Sequence, residues 1–353
     1  MSDSNEYNDR GTWSQHCREV DKAIGDYTKA IELNPDEASA YVKRGTAYQA
    51  KHEFDRAIAD FTKAIELGDN SAYLERGSVY KEKGEYDRAI ADLNKLIRMN
   101  PDSSAAYWER GEIYIRMKEY GKAIADFTKP IEMYPGCDSA YRVRGVAYHD
   151  IGENDKAIAD LNMGIDLKPD YTNIYQRGWV FVCMDEYDKA IADFNSLIEM
   201  NPDATNGYYS RGWAYVDKGE YDKAIADFTT LIKMEPDSDE FHWNRGEAYL
   251  SAGEYDKAIA DFTKAIDLGD IYRYLSRASA YAQKGEYDKA IVDYTNEIEL
   301  CHQDPIAFYE RGNAYKALGK KLEAIADFEE FTKLSKETEL IQVAKQEVER
   351  LRS

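Results

Sequence analysis

The apolar positions of the chain fall on one helix face over short stretches that polar turns separate. Residues 256–266 show this clearly, because apolar side chains recur at i, i+1, i+4, i+7 and i+8. These positions are Ala258, Ile259, Phe262, Ala265 and Ile266. Just upstream, His242, Gly246 and Tyr249 lie at i, i+4 and i+7, on one face of an earlier helix. Gly253 stands between the two patterns at a position suited to a turn, so the stretch predicts two helices joined by a turn.

This two-helix pattern recurs ten times along the chain. The dipeptide Ala-Ile returns at intervals of 32 to 34 residues, and Arg-Gly precedes it by 13 residues in every copy except the ninth, which has Arg277-Ala278. Asn-Pro-Asp, as in residues 34–36, closes several copies; proline ends the preceding helix, and we expect the aspartate to cap the next. A fixed period of this length is typical of stacked helical repeats. We therefore predict an all-α solenoid, with ten repeats over residues 1–335 and a C-terminal capping helix over residues 336–353.

The residues at fixed positions of each repeat resemble a known family, the tetratricopeptide repeat. The family pattern is a large aromatic residue, Leu-Gly, Tyr, Ala, an aromatic residue and Pro over 34 residues. The seventh repeat matches it at Tyr208, Arg211-Gly212, Tyr215, Ala224, Phe228 and Pro236, with Arg in place of the family's Leu. The resemblance covers residues 4 to 335. It implies a right-handed superhelix of antiparallel helix pairs, with the first helix of each pair on the inner surface.

Two stretches depart from the repeat. Pro130 lies inside the second helix of the fourth repeat, where Ala is usual, and it removes a backbone hydrogen bond. We expect a kink or an early helix end there. Beyond the tenth repeat, residues 338–351 carry apolar side chains at helical spacing, which predicts the final helix that covers the last apolar face.

Arginine and aspartate each occupy one fixed position in all ten repeats, as Arg211 and Asp227 do in the seventh. We predict that the two form an ion pair between packed helices, because a planar guanidinium can bind a carboxylate through two hydrogen bonds. The alternatives are an anion-binding stripe of arginines, or a pair between the aspartate and the basic residue four positions before it.

The positions that the resemblance places on the inner surface vary from repeat to repeat, unlike the core positions. In the fourth to eighth repeats they hold four of the five tryptophans. Tryptophan and tyrosine are common anchors of protein interfaces, and a large exposed apolar patch marks a binding site. We predict an aromatic groove in which Glu112, Arg116, Arg142 and Glu247 orient the ligand. Its aromatic members are Trp108, Tyr175, Trp179, Tyr209, Trp213 and Trp243. The alternative is that neighbouring repeats cover these side chains.

The composition narrows the choice of partner. The net charge of −21 argues against nucleic acid, since phosphate binding needs clustered Lys and Arg, and it favours neutral or basic protein partners with apolar anchors. No run of 18 apolar residues is present, so we expect no membrane insertion. The absence of a signal-peptide pattern and four widely spaced cysteines favour the cytoplasm.

We find no grouping of residues in the sequence that would support catalysis. The five histidines lie in different repeats, and no Gly-rich phosphate loop or metal-ligand spacing is present, so we predict neither an enzyme nor a cofactor. Some members of the resembled family bind a chaperone C-terminus through a clamp of basic and amide residues. Only Arg142 is basic at the corresponding lysine position, so such an adaptor is not predicted.

The leading hypothesis is therefore a scaffold that binds a peptide or protein segment in the aromatic groove. Two alternatives stay open. The same groove could bind a carbohydrate or small ligand by stacking, or the chain could be a structural solenoid that self-associates through its ends.

Overall fold

The computed structural model describes residues 2–16, 19–270, 273–301 and 304–352, and this part of the chain contains twenty-one α-helices and no β-strand. The first helices of the repeats are α1 (Ser2–His16), α3 (Ala38–Ala50), α5 (Ala72–Glu82), α7 (Ser104–Arg116), α9 (Asp138–Asp150), α11 (Tyr171–Cys183), α13 (Thr205–Lys218), α15 (Asp239–Ser251), α17 (Tyr274–Lys284) and α19 (Pro305–Ala317). The second helices are α2 (Val20–Leu33), α4 (Phe54–Glu66), α6 (Tyr86–Met99), α8 (Tyr120–Met133), α10 (Asn154–Leu167), α12 (Tyr187–Met200), α14 (Tyr221–Met234), α16 (Tyr255–Asp267), α18 (Tyr287–Leu300) and α20 (Lys321–Leu334). The last helix is α21 (Thr338–Arg352). The predicted all-α class with paired helices is confirmed.

The chain divides into two compact units, residues 1–180 and 181–353. Within each unit, helices that follow one another in sequence pack side by side, as α3 does against α4 and α13 against α14. We call the two units the first unit and the second unit.

The turns inside the repeats need a backbone conformation that favours glycine. Gly84 and Gly219 join a first helix to a second helix with φ of 76° and 81°. The expectation for Asn-Pro-Asp turns is wrong, because Asp102 does not cap α7; Ser103 is the N-cap residue and its side chain forms no capping bond. The Asn100 side-chain oxygen instead accepts a hydrogen bond from the Asp102 backbone N–H at 3.3 Å, which closes the turn.

In the repeats that carry Arg-Gly, the glycine allows the two helices to pack closely. In the seventh repeat Gly212 faces Phe228, which is fully buried. A Cβ atom on Gly212 would lie 2.7 Å from Phe228 Cε1, well inside contact distance. The aromatic ring of the second helix therefore packs directly against the backbone of the first.

The predicted pairing of arginine with aspartate is confirmed in nine repeats. In the seventh, Arg211 Nε and Nη2 donate to the two Asp227 carboxylate oxygens at 2.8 and 2.6 Å. Arg211 Nη1 also donates to Asn195 Oδ1 at 2.6 Å on α12 of the preceding repeat. Each such arginine therefore holds its own two helices together, and in the repeats after the first it also bonds to the repeat before.

Helix α8 does not end early at Pro130, so the early helix end is wrong, and the kink stays a prediction. The helix runs to Met133 and is 14 residues long, the same length as α6, which lacks an internal proline. The ring of Pro130 is buried, and the carbonyl of Pro130 accepts the backbone N–H of Tyr134 at 2.8 Å. Because Pro130 lies in the last turn, its missing backbone N–H affects only the end of the helix.

Candidate binding surfaces

The ten residues predicted for the site lie on first helices, in two separate groups. Six are on α7, α9 and α11 of the first unit, and four are on α13 and α15 of the second unit. All four tryptophans among them are half-buried. We describe the two groups in turn.

Trp108 and Glu112 form part of a charged network in the first unit. The Trp108 ring meets Phe127 edge-on with centroids 5.5 Å apart, and its Nε1 donates to Glu112 Oε1 at 3.0 Å. Lys81 Nζ lies 2.6 Å from Glu112 Oε2 and 2.6 Å from Glu109 Oε2. Burial acts to lower the pKa of Lys81, but the two carboxylates outweigh it and raise the pKa. The Glu112 carboxylate is therefore already bound by an indole N–H and an ammonium group.

Three predicted residues meet at a cleft of about 340 Å³, which we call the first-unit cleft. It is lined by Glu112, Ile115, Arg116, Phe127, Arg142, Val143, Val146 and Gln176. The aliphatic and aromatic members form an apolar floor, and the charged members stand around it. Pockets of this size that combine apolar walls with a few polar groups are the common form of a ligand site.

Tyr175 and Trp179 lie one helical turn apart on α11. Their ring centroids are 6.3 Å apart with the planes at 69°, and Tyr171 stacks on Tyr175 from the preceding turn at 6.3 Å. The three rings thus line one stripe of α11. The structure brings Arg142, rather than these rings, to the first-unit cleft.

In the second unit two tryptophans from successive repeats contact each other. The rings of Trp213 and Trp243, which we call the tryptophan pair, have centroids 5.9 Å apart and planes at 46°. Trp213 also meets Phe228 edge-on at 5.7 Å, and Tyr209 packs on the same core cluster. The buried Nε1 of Trp213 has no hydrogen-bond acceptor among the residues described.

A polar chain holds the other half of the tryptophan pair. Trp243 Nε1 donates to Ser276 Oγ at 3.1 Å, and Ser276 Oγ donates to Glu247 Oε1 at 2.8 Å. The Arg273 guanidinium stacks on the Trp243 ring 4.2 Å from its centroid and pairs with Asp270 at 2.5 Å. Burial raises the pKa of Glu247, and the hydrogen bond from Ser276 opposes this shift.

Sequence reasoning missed Lys81, Arg273 and Ser276, which complete these two networks. Arg273 follows the turn after α16, where Leu268-Gly269-Asp270 stands in place of the proline-containing turn of other repeats. Ser276 immediately precedes Arg277, the arginine that pairs with aspartate in the ninth repeat. For Lys81 a signal was available in the sequence. It is a lysine on the inner row of the third repeat, and the next repeat carries two glutamates on its first helix. The other two contacts depend on the rotation of neighbouring helices, which spacing alone does not specify.

The other features of the described residues add no reactive centre. This part of the chain has no group of three or more His, Cys, Asp or Glu residues placed to hold a metal ion. Cys137, Cys183 and Cys301 are free thiols, and Cys17 lies outside the described residues. None of the helices in the described ranges is long and apolar enough to cross a bilayer.

The repeated pairs of a first and a second helix define a helical repeat protein. Family models for the tetratricopeptide repeat match residues 74–136, 114–172, 175–227 and 209–270, which is more than half of the chain. Two further models of this repeat match residues 19–52 and 278–319, and 38–67 and 306–338. The chain belongs to the tetratricopeptide repeat family, whose members are protein-interaction scaffolds.

Three solved structures are similar to the chain, and the first of them supports the fold. A tetratricopeptide repeat protein from Parabacteroides merdae is 19% identical over 80% of this chain and 99% of its own, with a TM-score of 0.54. Yeast Tom70 is 16% identical over 99% of this chain and 95% of its own, with a TM-score of 0.44. YrrB, described as a TPR protein with an unusual peptide-binding site, is 25% identical over 47% of this chain and 87% of its own, with a TM-score of 0.41. No curated protein matches the sequence significantly.

Proposed function

We propose that the chain binds extended or helical segments of other proteins on its first helices. The first-unit cleft and the tryptophan pair are the two anchoring surfaces. Each combines an apolar base with charged side chains at its edge, the arrangement in which aromatic and arginine residues contribute most to binding.

One contrast in burial carries this proposal. The aromatic residues that repeat at core positions, such as Phe194 and Phe228, are completely buried. Tryptophans at the variable positions, such as Trp108 and Trp213, keep part of their surface open to solvent. The repeating aromatic side chains of the core are completely buried by the fold itself. Partly exposed indoles at non-repeating positions are therefore suited to become buried against a partner.

A carbohydrate is the second candidate, and the geometry favours it less. Stacking on a sugar needs an open aromatic face. The Arg273 guanidinium already covers a face of Trp243, and Trp213 contacts the same ring at a tilt rather than lying beside it in one plane. A protein segment needs only apolar contact and hydrogen bonds, which the half-open rings and the nearby carboxylate supply.

Peptide and glycan arrays probed with the same full chain test this function. We expect selected peptides to bind and glycans not to bind. Replacing both members of the tryptophan pair, Trp213→Ala with Trp243→Ala, should weaken the binding of peptides that use the second unit by about 30-fold, since the two touching rings form one anchor and such an anchor contributes about 2 kcal/mol. The matched control is Tyr134→Ala, because Tyr134 is an aromatic residue 60% exposed on a turn outside both surfaces.

Circular dichroism separates lost binding from lost structure, and helix content should be unchanged in all variants. Glycan binding that disappears in the tryptophan variant would replace the protein-segment function with carbohydrate recognition. Peptides that bind the wild type and both variants equally would locate recognition away from the tryptophan pair.

A further inference from the structure

Three arginines of the first unit lack a side-chain partner among the described residues, and two of them line one cleft. Among the described residues, Arg98, Arg116 and Arg142 have neither an ion pair nor a hydrogen bond from the side chain. Every other arginine in the described ranges contacts a carboxylate or another polar side chain. Arg98 is exposed at the end of α6, whereas Arg116 and Arg142 both line the first-unit cleft.

The missing pairs are not due to a lack of nearby acids. The chain carries 67 Asp and Glu against 46 Lys and Arg. Glu112 precedes Arg116 by four residues and Asp138 precedes Arg142 by four, the spacing at which an acid and a base pair on a helix. Glu112 instead binds Lys81 and Trp108. The cleft therefore holds two guanidinium groups that form no ion pair or side-chain hydrogen bond with any residue in the described part of the protein.

The floor between the two guanidinium groups is apolar. Ile115, Val143 and Val146 supply aliphatic surface from α7 and α9, and Phe127 closes the cleft from α8. A simple inorganic anion would leave this floor empty. A ligand that fills the cleft needs an apolar group for the floor and an anionic group within reach of both arginines.

Resting on the function proposed above, we propose that the first-unit cleft recognises an acidic, apolar motif inside a segment of a partner protein. The apolar side chain lies on the floor, and the carboxylate of a neighbouring Asp or Glu binds Arg116 and Arg142. Guanidinium groups suit this role because they present paired N–H donors that match the two oxygens of a carboxylate.

This inference differs from the expectation that total charge suggests. A net charge of −21 favours neutral or basic partners at long range, but salt screens such fields beyond roughly 8 Å at physiological ionic strength. Contacts inside the cleft depend on the local groups. Glu112 is already paired with Lys81, and the unpaired charges of the cleft are the two guanidinium groups. The partner's contact residue is therefore anionic even though the protein as a whole is acidic.

The test uses the full chain and three series of fluorescent peptides, read by fluorescence anisotropy. Every peptide carries a Leu or Phe and one further test residue, which is Asp, Asn or Lys according to the series. Within each series the test residue lies one, two, three or four positions from the Leu or Phe. We expect an Asp peptide to bind about tenfold more tightly than its Asn partner, and the Lys peptide to bind most weakly. In the Arg116→Gln/Arg142→Gln variant the Asp and Asn peptides should bind within about twofold of each other, since the charged hydrogen bonds are lost.

Arg98→Gln is the control, because it removes one positive charge from another unpaired arginine of the same unit that lies outside the cleft. It should keep the full preference for Asp. Arg116→Lys with Arg142→Lys should keep part of the preference, because lysine retains the charge without the paired donors.

The outcomes separate this inference from the proposed function. Peptides that bind without preference for Asp, or a preference that survives in the double Gln variant, would overturn the acidic motif while peptide binding stands. A phosphoserine peptide that binds far better than its Asp counterpart would assign the cleft to phosphate instead. If no peptide of any series binds, the proposed function fails and the motif fails with it.

Discussion

Glu297 is a carboxylate at a position that other repeats fill with apolar side chains. The equivalent residues include Ala30, Leu96, Leu197 and Leu231 on the second helices. Glu297 is 5% exposed, and its Oε2 accepts no hydrogen bond from the residues that the structure describes. A buried carboxylate oxygen that lacks a hydrogen-bond partner destabilises the fold when the group is ionised.

The pKa of Glu297 is raised, chiefly by burial and then by the negative charge of Asp304, with a smaller contribution from Asp270; the nearby backbone amide of Leu275 opposes the shift. A raised pKa in the folded state means that the protonated form is favoured there. Below the pKa of the unfolded chain, both states hold the proton and the group adds no penalty. As pH rises through the raised folded value, the penalty grows, because only the unfolded chain ionises freely.

Replacing Glu297→Leu should therefore stabilise the protein at pH 7 by about 1–2 kcal/mol, the cost of a buried unsatisfied polar group. Near pH 4 the gain should be smaller, since the carboxyl is then protonated in the wild type as well. Thermal melts of both proteins from pH 4 to pH 8 measure the difference. A gain that stays the same at every pH would show that packing, rather than ionisation, is responsible.

Helix pairing within a repeat depends on the direct contact between a glycine and the side chain of the second helix. This contact is tight where the second helix carries phenylalanine and looser where it carries leucine. A Cβ on Gly212 would lie 2.7 Å from Phe228 Cε1, whereas one on Gly77 would lie 3.3 Å from Leu93 Cγ. The same substitution therefore has two different expected results.

Gly212→Ala should destabilise the protein by about 1–3 kcal/mol, because the helices must separate or the ring must shift. Gly77→Ala should cost less than about 1 kcal/mol, since Leu93 needs to move only slightly and alanine favours the helix. Urea unfolding compares the two variants with wild type. Equal losses at both sites would mean that the phenylalanine ring adapts as easily as leucine.

The last helix covers the apolar surface of α20 with one face only. Ala344 and Val348 are buried against Phe328 and Phe331, while Val343 on the other side of α21 is 43% exposed. We propose that residues 336–353 cap the array through this face. A polar exposed side is what a terminal element of a repeat array requires.

Val348→Asp should destabilise the C-terminal repeat by about 3 kcal/mol or more, because it buries an unpaired charge. Val343→Asp introduces the same charge on the exposed face and should change stability by less than about 0.5 kcal/mol. Limited proteolysis reports the loss of α21 directly. Comparable cleavage of the two variants would argue against a capping role.

The sequence predicted the helices and the arginine–aspartate pairs because both repeat ten times, and packing imposes the same solution on each repeat. It did not predict that Arg211 also binds Asn195, although Thr or Asn follows the core aromatic or leucine residue in nine repeats. It also missed that Lys81 binds Glu112. Contacts between repeats depend on the rotation of one helix pair against the next, and a period carries no information about that angle.

For the candidate site residues too, the sequence predicted positions but not contacts. The sequence placed Trp213 and Trp243 on an inner row, and the structure shows that their rings touch. It named Arg116 and Arg142 only as charges that orient a ligand. What matters for the cleft is that neither has a partner among the described side chains. Arg116 lacks one because Glu112 pairs with Lys81 instead, and the sequence does not show that contact.

At the scale of the whole molecule, each of the two units is held together by contacts between helices that are near neighbours in sequence. The strongest packing joins the two helices of one repeat, and the next strongest joins a second helix to the following first helix. In such an array the stability of each repeat depends on itself and its neighbours, rather than on one shared core.

A local defect should therefore stay local, and hydrogen exchange of the Gly212→Ala variant tests this. We expect faster exchange in α13 and α14, a smaller increase in α12 and α15, and no change in α1 to α6, because destabilisation spreads only through adjacent interfaces. Gly77→Ala is the control, since its small effect should be confined to α5, α6 and their neighbours. Uniformly faster exchange in every helix of the Gly212→Ala protein would instead mean that all repeats open in one cooperative step, and the nearest-neighbour description would be wrong.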